Sequence, residues 1–157
     1  MSRELKRELA DELIRLVRAH EAANDAFDEI ACGKLGINRT DLRCLNIVEN
    51  QGSMTAGRLA ELSGLTTAAV TSVLDRLERA GYARRVRDQE DRRQVIVELT
   101  PLLLERAGPM WGPLGDEAQA ALARMSVEEL QSLNEFFRFG IALNEKHVER
   151  VRKLELD

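Results

Sequence analysis

Five arginines fall within ten positions, at Arg84, Arg85, Arg87, Arg92 and Arg93, in a chain whose 23 basic residues are outnumbered by 27 acidic ones. A guanidinium is permanently charged and presents a planar fork of donors, so such a cluster suits phosphates or the acceptor edges of bases. Just upstream, Thr66, Thr67, Thr71 and Ser72 supply hydroxyls, Ala68 a methyl, and Arg76 a further guanidinium. Hydroxyls of this kind donate to or accept from base edges and phosphates, and the Ala and Thr methyls match a thymine methyl. Acid–base, nucleophilic and metal chemistry have little to work with. Two histidines and two cysteines are well separated in sequence, and there is no nucleophile elbow, phosphate loop or metal-ligand motif. The expectation is a chain without catalytic residues, cofactor or metal.

The elements that must position these groups follow from periodicity. Leu5, Leu9, Leu13, Leu16, His20, Ala23, Phe27 and Ile30 recur at steps of three and four, predicting one long amphipathic helix closed by Gly33 and Gly36. A second helix starts near Asn38 or Thr40, with Leu42, Leu45 and Val48 on one face, and ends at Gln51-Gly52-Ser53. Thr55 caps a short helix that stops at Ser63-Gly64. Thr66 caps another that runs to Ala80 with Val70, Val73, Leu74 and Leu77 inward, and Gly81 takes a left-handed position after it. A short helix, a turn containing glycine and a second capped helix make a helix-turn-helix. Tyr82–Arg87 and Gln94–Leu99 read as two strands, with Val95, Val97 and Leu99 alternating onto one face. They make a hairpin wing whose tip carries Asp88, Glu90, Asp91, Arg92 and Arg93.

Pro101 opens a further helix, which Gly108-Pro109 and Gly112-Pro113-Leu114-Gly115 are expected to kink or break before it resumes at Ala118. Ser126 and Glu129 form a capping box for a last helix bearing Leu130, Leu133, Phe137, Ile141, Val148 and Val151. The predicted fold is mostly α with a small β-hairpin wing, a winged helix-turn-helix between N- and C-terminal dimerisation helices. Its parts are residues 1–35, 36–100 and 101–157, intertwined as one domain.

Composition sets the outer bounds. Charged residues make up 32% and the hydrophobic set 44% of 157 residues, the balance of a folded soluble protein. No apolar run reaches the length of a membrane span, and the N-terminus lacks a signal peptide's apolar centre. With Cys32 and Cys44 too few for a disulfide framework, the expected location is the cytoplasm, with no membrane partner. Charge is uneven: residues 1–53 carry a net −2, residues 101–157 a net −3, and residues 54–100 a net +1.

The order helix, helix, helix-turn-helix, wing and two further helices resembles the MarR family of bacterial transcription regulators over nearly the whole chain. The most specific segment is LAELSGLTTAAVTSVLDRLERAGYARRVRDQEDRRQVIVELT, residues 59–100, where Asp91-Arg92-Arg93 looks like the family's D-x-R wing signature. The resemblance implies a homodimer that binds double-stranded DNA sequence-specifically, usually a repressor released by a small molecule. The first and last helices would pair across a two-fold axis, with recognition helices roughly 34–36 Å apart on a pseudo-palindrome.

In that frame Thr66, Thr67, Ala68, Thr71, Ser72 and Arg76 face the major groove. Arg92 and Arg93 enter a minor groove, and Arg84, Arg85 and Arg87 meet phosphates beside it. Asp91 is expected to brace a neighbouring arginine or cap the wing turn. A pocket for a small aromatic or amphipathic effector would lie near His20, Cys44, Met110 and Trp111. Two other readings stay open: an oxidant-sensing repressor working through Cys32 or Cys44, and a winged-helix interaction module that does not read DNA.

Overall fold

A computed structural model describes residues 3–89 and 91–155; Glu90, at the expected hairpin tip, lies outside the described residues. The elements are helices α1 (Arg3–Leu35) and α2 (Arg39–Gln51), strand β1 (Met54–Thr55), helices α3 (Ala56–Ser63) and α4 (Thr67–Arg79), strands β2 (Ala83–Arg87) and β3 (Val95–Leu99), and helices α5 (Pro101–Leu122) and α6 (Val127–Arg152). They form two compact units, residues 1–111 and 112–157.

In the first unit the apolar positions of α2, α3, α4 and β3 converge on one core. Cys44, Leu45, Val48, Leu59, Val70, Val73, Leu74, Leu77 and Val97 are buried there. The helix boundaries lie where the side chains dictate. Asn38 caps α2, accepting from the Asp41 N–H at 2.9 Å, while Asp41 Oδ2 accepts from the Asn38 N–H at 3.2 Å. Thr55 and Thr66 accept from the N–H groups of Arg58 and Ala69, capping α3 and α4. After α4 the chain reverses at Gly81, whose φ of +79° suits glycine; a Cβ there would meet Leu102 Cδ2 at 3.0 Å.

Two features depart from the sequence expectation. The wing is not a simple hairpin: β1 pairs antiparallel with β3 (Met54 opposite Val97, Thr55 opposite Ile96), giving a three-stranded sheet ordered β1-β3-β2. A two-residue strand is too short for alternation to announce it. Along β3, Val97 is buried and Leu99 half-buried, whereas Val95, nearer the tip, is exposed.

The second departure corrects the expected break in α5, which runs unbroken from Pro101 to Leu122 through Gly108, Pro109, Gly112, Pro113 and Gly115. Prolines at 109 and 113 deprive the carbonyls of Glu105 and Pro109 of their amide donors. Glu105, Pro109 and Pro113 are all exposed, so water can serve the freed carbonyls. The other side of the same turns carries Leu103, Ala107, Met110 and Trp111 onto the core. Over residues 101–111 that packing offsets the local propensity cost, about 1 kcal/mol for an interior glycine such as Gly108.

At its C-terminal end α1 buries Ala31, Cys32 and Leu35. Arg39 of α2 reaches back to Asp25 (2.6 Å) and Asp28 (2.5 Å) of α1, and Phe27 meets Trp111 edge-on with ring centroids 5.6 Å apart. Leu5, Leu9, Leu13, Ile14 and Leu16 on the rest of α1 are exposed. In the second unit, α6 starts at the Ser126–Glu129 capping box and buries no residue. Phe136, Phe137, Phe139, Ile141, Val148 and Val151 are exposed on it.

Candidate nucleic-acid interface

Helix α4 buries Val70, Val73, Leu74 and Leu77, which turns Thr67, Ala68, Thr71, Ser72 and Asp75 outward. Thr66, the exposed cap, stands at the start of this strip. Two of the hydroxyls are oriented by their own helix. Thr71 Oγ1 donates to the Thr67 carbonyl at 3.0 Å and Ser72 Oγ to the Ala68 carbonyl at 3.1 Å.

Arg76 is anchored inward rather than projecting outward. Its Nη2 lies 2.6 Å from Asp41 Oδ1, and its Nε 3.2 Å from both carboxylate oxygens. Asp41 is 1% exposed and the Arg76 side chain 40%. The hydrogen bonds to Asp41 push the Arg76 pKa up. One buried carboxylate therefore completes the α2 capping box and clamps α4. Asp41 was not singled out from the sequence, although Asn38-x-x-Asp41 is a capping-box spacing.

The five clustered arginines divide into two sets. Arg84 lies across from Glu98 in the β2–β3 register and pairs with it at 2.9 Å. Arg85 is held by Asp75 at 2.9 Å and by Glu78, and its Nη2 reaches the Thr71 carbonyl at 3.4 Å. Its backbone N–H also donates to Glu78 Oε1 at 2.7 Å. Arg85 thus fastens β2 alongside the outer flank of α4. Asp75 and Glu78, one helical turn apart, are the partners that sequence reasoning missed. Arg87, Arg92 and Arg93 are exposed and make no ion pair among the described residues.

The turn carrying Arg92 and Arg93 is tied by Asp91. Its Oδ1 accepts from the Arg93 N–H at 3.0 Å, its Oδ2 accepts from the Gln94 side-chain amide at 3.1 Å, and its own N–H donates to Asp88 Oδ1 at 2.9 Å. The Arg93 N–H, then the Gln94 amide, hold the Asp91 carboxyl below the usual carboxylate range. Of the two expected roles, Asp91 fills that of turn cap.

Of the four residues expected around an effector, Cys44, Met110 and Trp111 share one core, and His20 stands apart from it on α1. His20 is exposed on α1, bonded to Asn24 at 3.2 Å; Cys44 is fully buried; Met110 packs against the core. Trp111 does line a cavity of about 210 Å³, with Leu35, Leu42, Leu45, Leu103 and Ala107, and with Asn46 and Glu49 at its polar side. Burial pushes the Cys44 and Cys32 thiols up, with nearby Asp41 adding to both. Among the described residues no group of three or more His, Cys, Asp or Glu is gathered as a metal site, and no helix is long and apolar enough to cross a membrane.

A capped helix-turn-helix, a sheet fastened to its second helix and an arginine-bearing turn define a winged-helix regulator. Comparison with known proteins agrees. Residues 37–95 match the model of the MarR family. An HTH-type transcriptional regulator of Bacillus subtilis, YcgE, itself uncharacterized, is 30% identical over 152 residues, covering 97% of this chain and 99% of its own length. A MarR-like transcriptional regulator from Thermotoga maritima superposes with a TM-score of 0.61 at 26% identity, covering 86% of this chain and 96% of its own. The S. aureus MepR–DNA complex shares the fold, with a TM-score of 0.55 at 18% identity over 82% of this chain and 96% of MepR. The chain belongs to the MarR family and is a transcriptional regulator with the winged-helix DNA-binding fold.

Proposed function

We propose that the chain acts in the cytoplasm as a homodimeric repressor of a pseudo-palindromic operator, reading bases with α4 and gripping the flanking minor groove with the wing. The observation that carries this is the bond set of Arg85: it joins β2 to Thr71 and Asp75, so the strand leading to Arg87, Arg92 and Arg93 is braced against the exposed strip of α4. Thr66, Thr67, Ala68, Thr71 and Ser72 then serve as the base-edge surface, and Arg87, Arg92 and Arg93 as minor-groove and phosphate contacts. Arg84 and Arg85 act one step back, holding the wing's shape. The uncovered apolar residues of α1 and α6 support dimerisation through those helices. That MepR of the same fold is seen on DNA is in keeping with this reading.

Release by an effector has a physical route in this reading. Leu42 and Leu45 of α2 line the cavity beside Trp111, and Asp41 on the same helix holds Arg76 of α4. A small apolar or amphipathic molecule that displaced α2 would shift the recognition helix with it. The test is fluorescence anisotropy of the protein against the intergenic DNA beside its own coding region, with a scrambled duplex and a salt series. The expected result is tight, sequence-dependent binding of two protomers per site. Equal binding to both duplexes, followed by failure to select any sequence from random DNA, would refute it.

A further inference from the structure

Resting on the reading that a small molecule acts through α2, we infer that the cavity beside Trp111 takes a one-ring aromatic cation and that Glu49 selects it by charge. Size sets the body of the ligand. An apolar cavity of about 150 Å³ holds benzene, and a water-sized group takes up about 30 Å³. The cavity here measures about 210 Å³, room for one ring and roughly two further heavy atoms. Leu35, Leu42, Leu45, Leu103, Ala107 and Trp111 supply apolar walls from α1, α2 and α5.

The lining carries one charged side chain, Glu49. It stands four residues after Leu45 and seven after Leu42, so α2 turns all three to the same side. Glu49 is exposed and makes no ion pair among the described residues. Asn46, one turn earlier, adds an amide that accepts as well as donates.

The other charges nearby are engaged or turned away. Arg39 is held by Asp25 and Asp28. Arg43 lines a separate cleft on the next flank of α2, with Asp28, Arg39 and Thr40. That cleft shares Leu42 and Asn46 with the cavity, but its other walls are polar and give a ring no seat. Lys34, Glu105 and Arg106 are exposed and do not line the cavity. The last turn of α2 and the first turn of α5 both border it, and their end charges, of opposite sign, offset each other. An ammonium at the polar side therefore meets the Glu49 carboxylate, where an anionic group would meet like charge.

The test titrates the protein with benzylamine, benzyl alcohol and benzoate, one ring bearing in turn a cation, a neutral group and an anion. Trp111, the chain's single tryptophan, reports occupancy by its fluorescence. The series is repeated on Glu49→Gln, and each compound is also added to the protein on its intergenic DNA, followed by anisotropy. Benzylamine should bind about fivefold more tightly than benzyl alcohol, the upper end for an ion pair open to water, with benzoate weakest. In Glu49→Gln the preference should fall below about twofold. Benzoate binding as tightly as benzylamine, a preference unchanged in Glu49→Gln, or no saturable signal from any of the three would overturn the inference. Release of DNA by benzoate would keep the effector reading and reject its cationic ligand. Benzylamine bound with the expected preference, but without release, would refute the effector reading and keep the cation site.

Discussion

Arg76→Met isolates the clamp between α2 and α4. Methionine keeps much of the stem's volume and removes the guanidinium. Asp41, 1% exposed, would retain the Asn38 N–H as its donor and be deprived of three hydrogen bonds of 2.6 to 3.2 Å. Removing one partner of a buried ion pair costs about 3–5 kcal/mol; here Arg76 is 40% exposed, water can enter where it stood, and the expected loss is about 2–3 kcal/mol. For a chain of this size each kcal/mol moves Tm by about 2–4 °C, so the melting point should fall by about 4–12 °C.

The assay is urea and thermal unfolding followed by circular dichroism at one fixed protein concentration, because oligomerisation makes Tm concentration-dependent. Asp41→Asn and the Asp41→Asn/Arg76→Met pair complete a double-mutant cycle. The double variant should lose less than the sum of the singles, since it leaves no unpaired buried carboxylate. A shift in Tm of less than about 1 °C for Arg76→Met, or singles that simply add, would refute the clamp.

Arg87→Ala, Arg92→Ala and Arg93→Ala should each lower DNA affinity, the salt slope falling by about one for every phosphate left without its arginine, whereas Arg84→Ala, whose guanidinium lies on Glu98, should leave that slope unchanged; anisotropy across a salt series measures both. Asp91→Ala should weaken DNA binding without moving the melting point, because it frees the tip and touches no core residue. Its lowered pKa means that the cap's contribution is complete above the ordinary carboxylate range and is lost only as pH falls through the lower folded value, so binding should show no Asp91 titration near neutrality. Native Cys32 and Cys44 should react with iodoacetamide far more slowly than in urea, and peroxide should leave DNA binding intact; rapid labelling or peroxide release would favour an oxidant switch. Tyr82→Phe removes the hydroxyl that donates to the Leu35 carbonyl at 3.0 Å in the core and should cost about 1 kcal/mol in urea unfolding.

What the sequence disclosed depends on the range of the interaction involved. Caps are local, so Thr55, Thr66 and Ser126 marked their helices correctly, and Gly81 marked the end of α4. Periodicity over three or more turns located the buried faces of α2 and α4. The misses are non-local. The pairings of Arg76 with Asp41, 35 residues away, and of Arg84 with Glu98, 14 away, leave no trace in the spacing of any one element. Charge clustering therefore identified the arginine-rich stretch, but could not separate the guanidinium groups that hold the wing from those left open. The continuity of α5 through Gly108 and Pro109 was hidden for the same reason: its prolines are local, and the core that Leu103 and Trp111 pack against is assembled from α2, α3 and α4.

Strand β2 is the outer strand of its sheet, Ala83-Arg84-Arg85-Val86-Arg87, and an open edge is a template for another chain. Here the template is spoiled twice. The outward N–H of Arg85 is already taken by Glu78, and three arginines in five residues would set like charges against one another in any antiparallel self-pairing. The composition that suits the wing to the polyanion contact proposed for it also protects the protein from edge-to-edge aggregation while it is free of DNA.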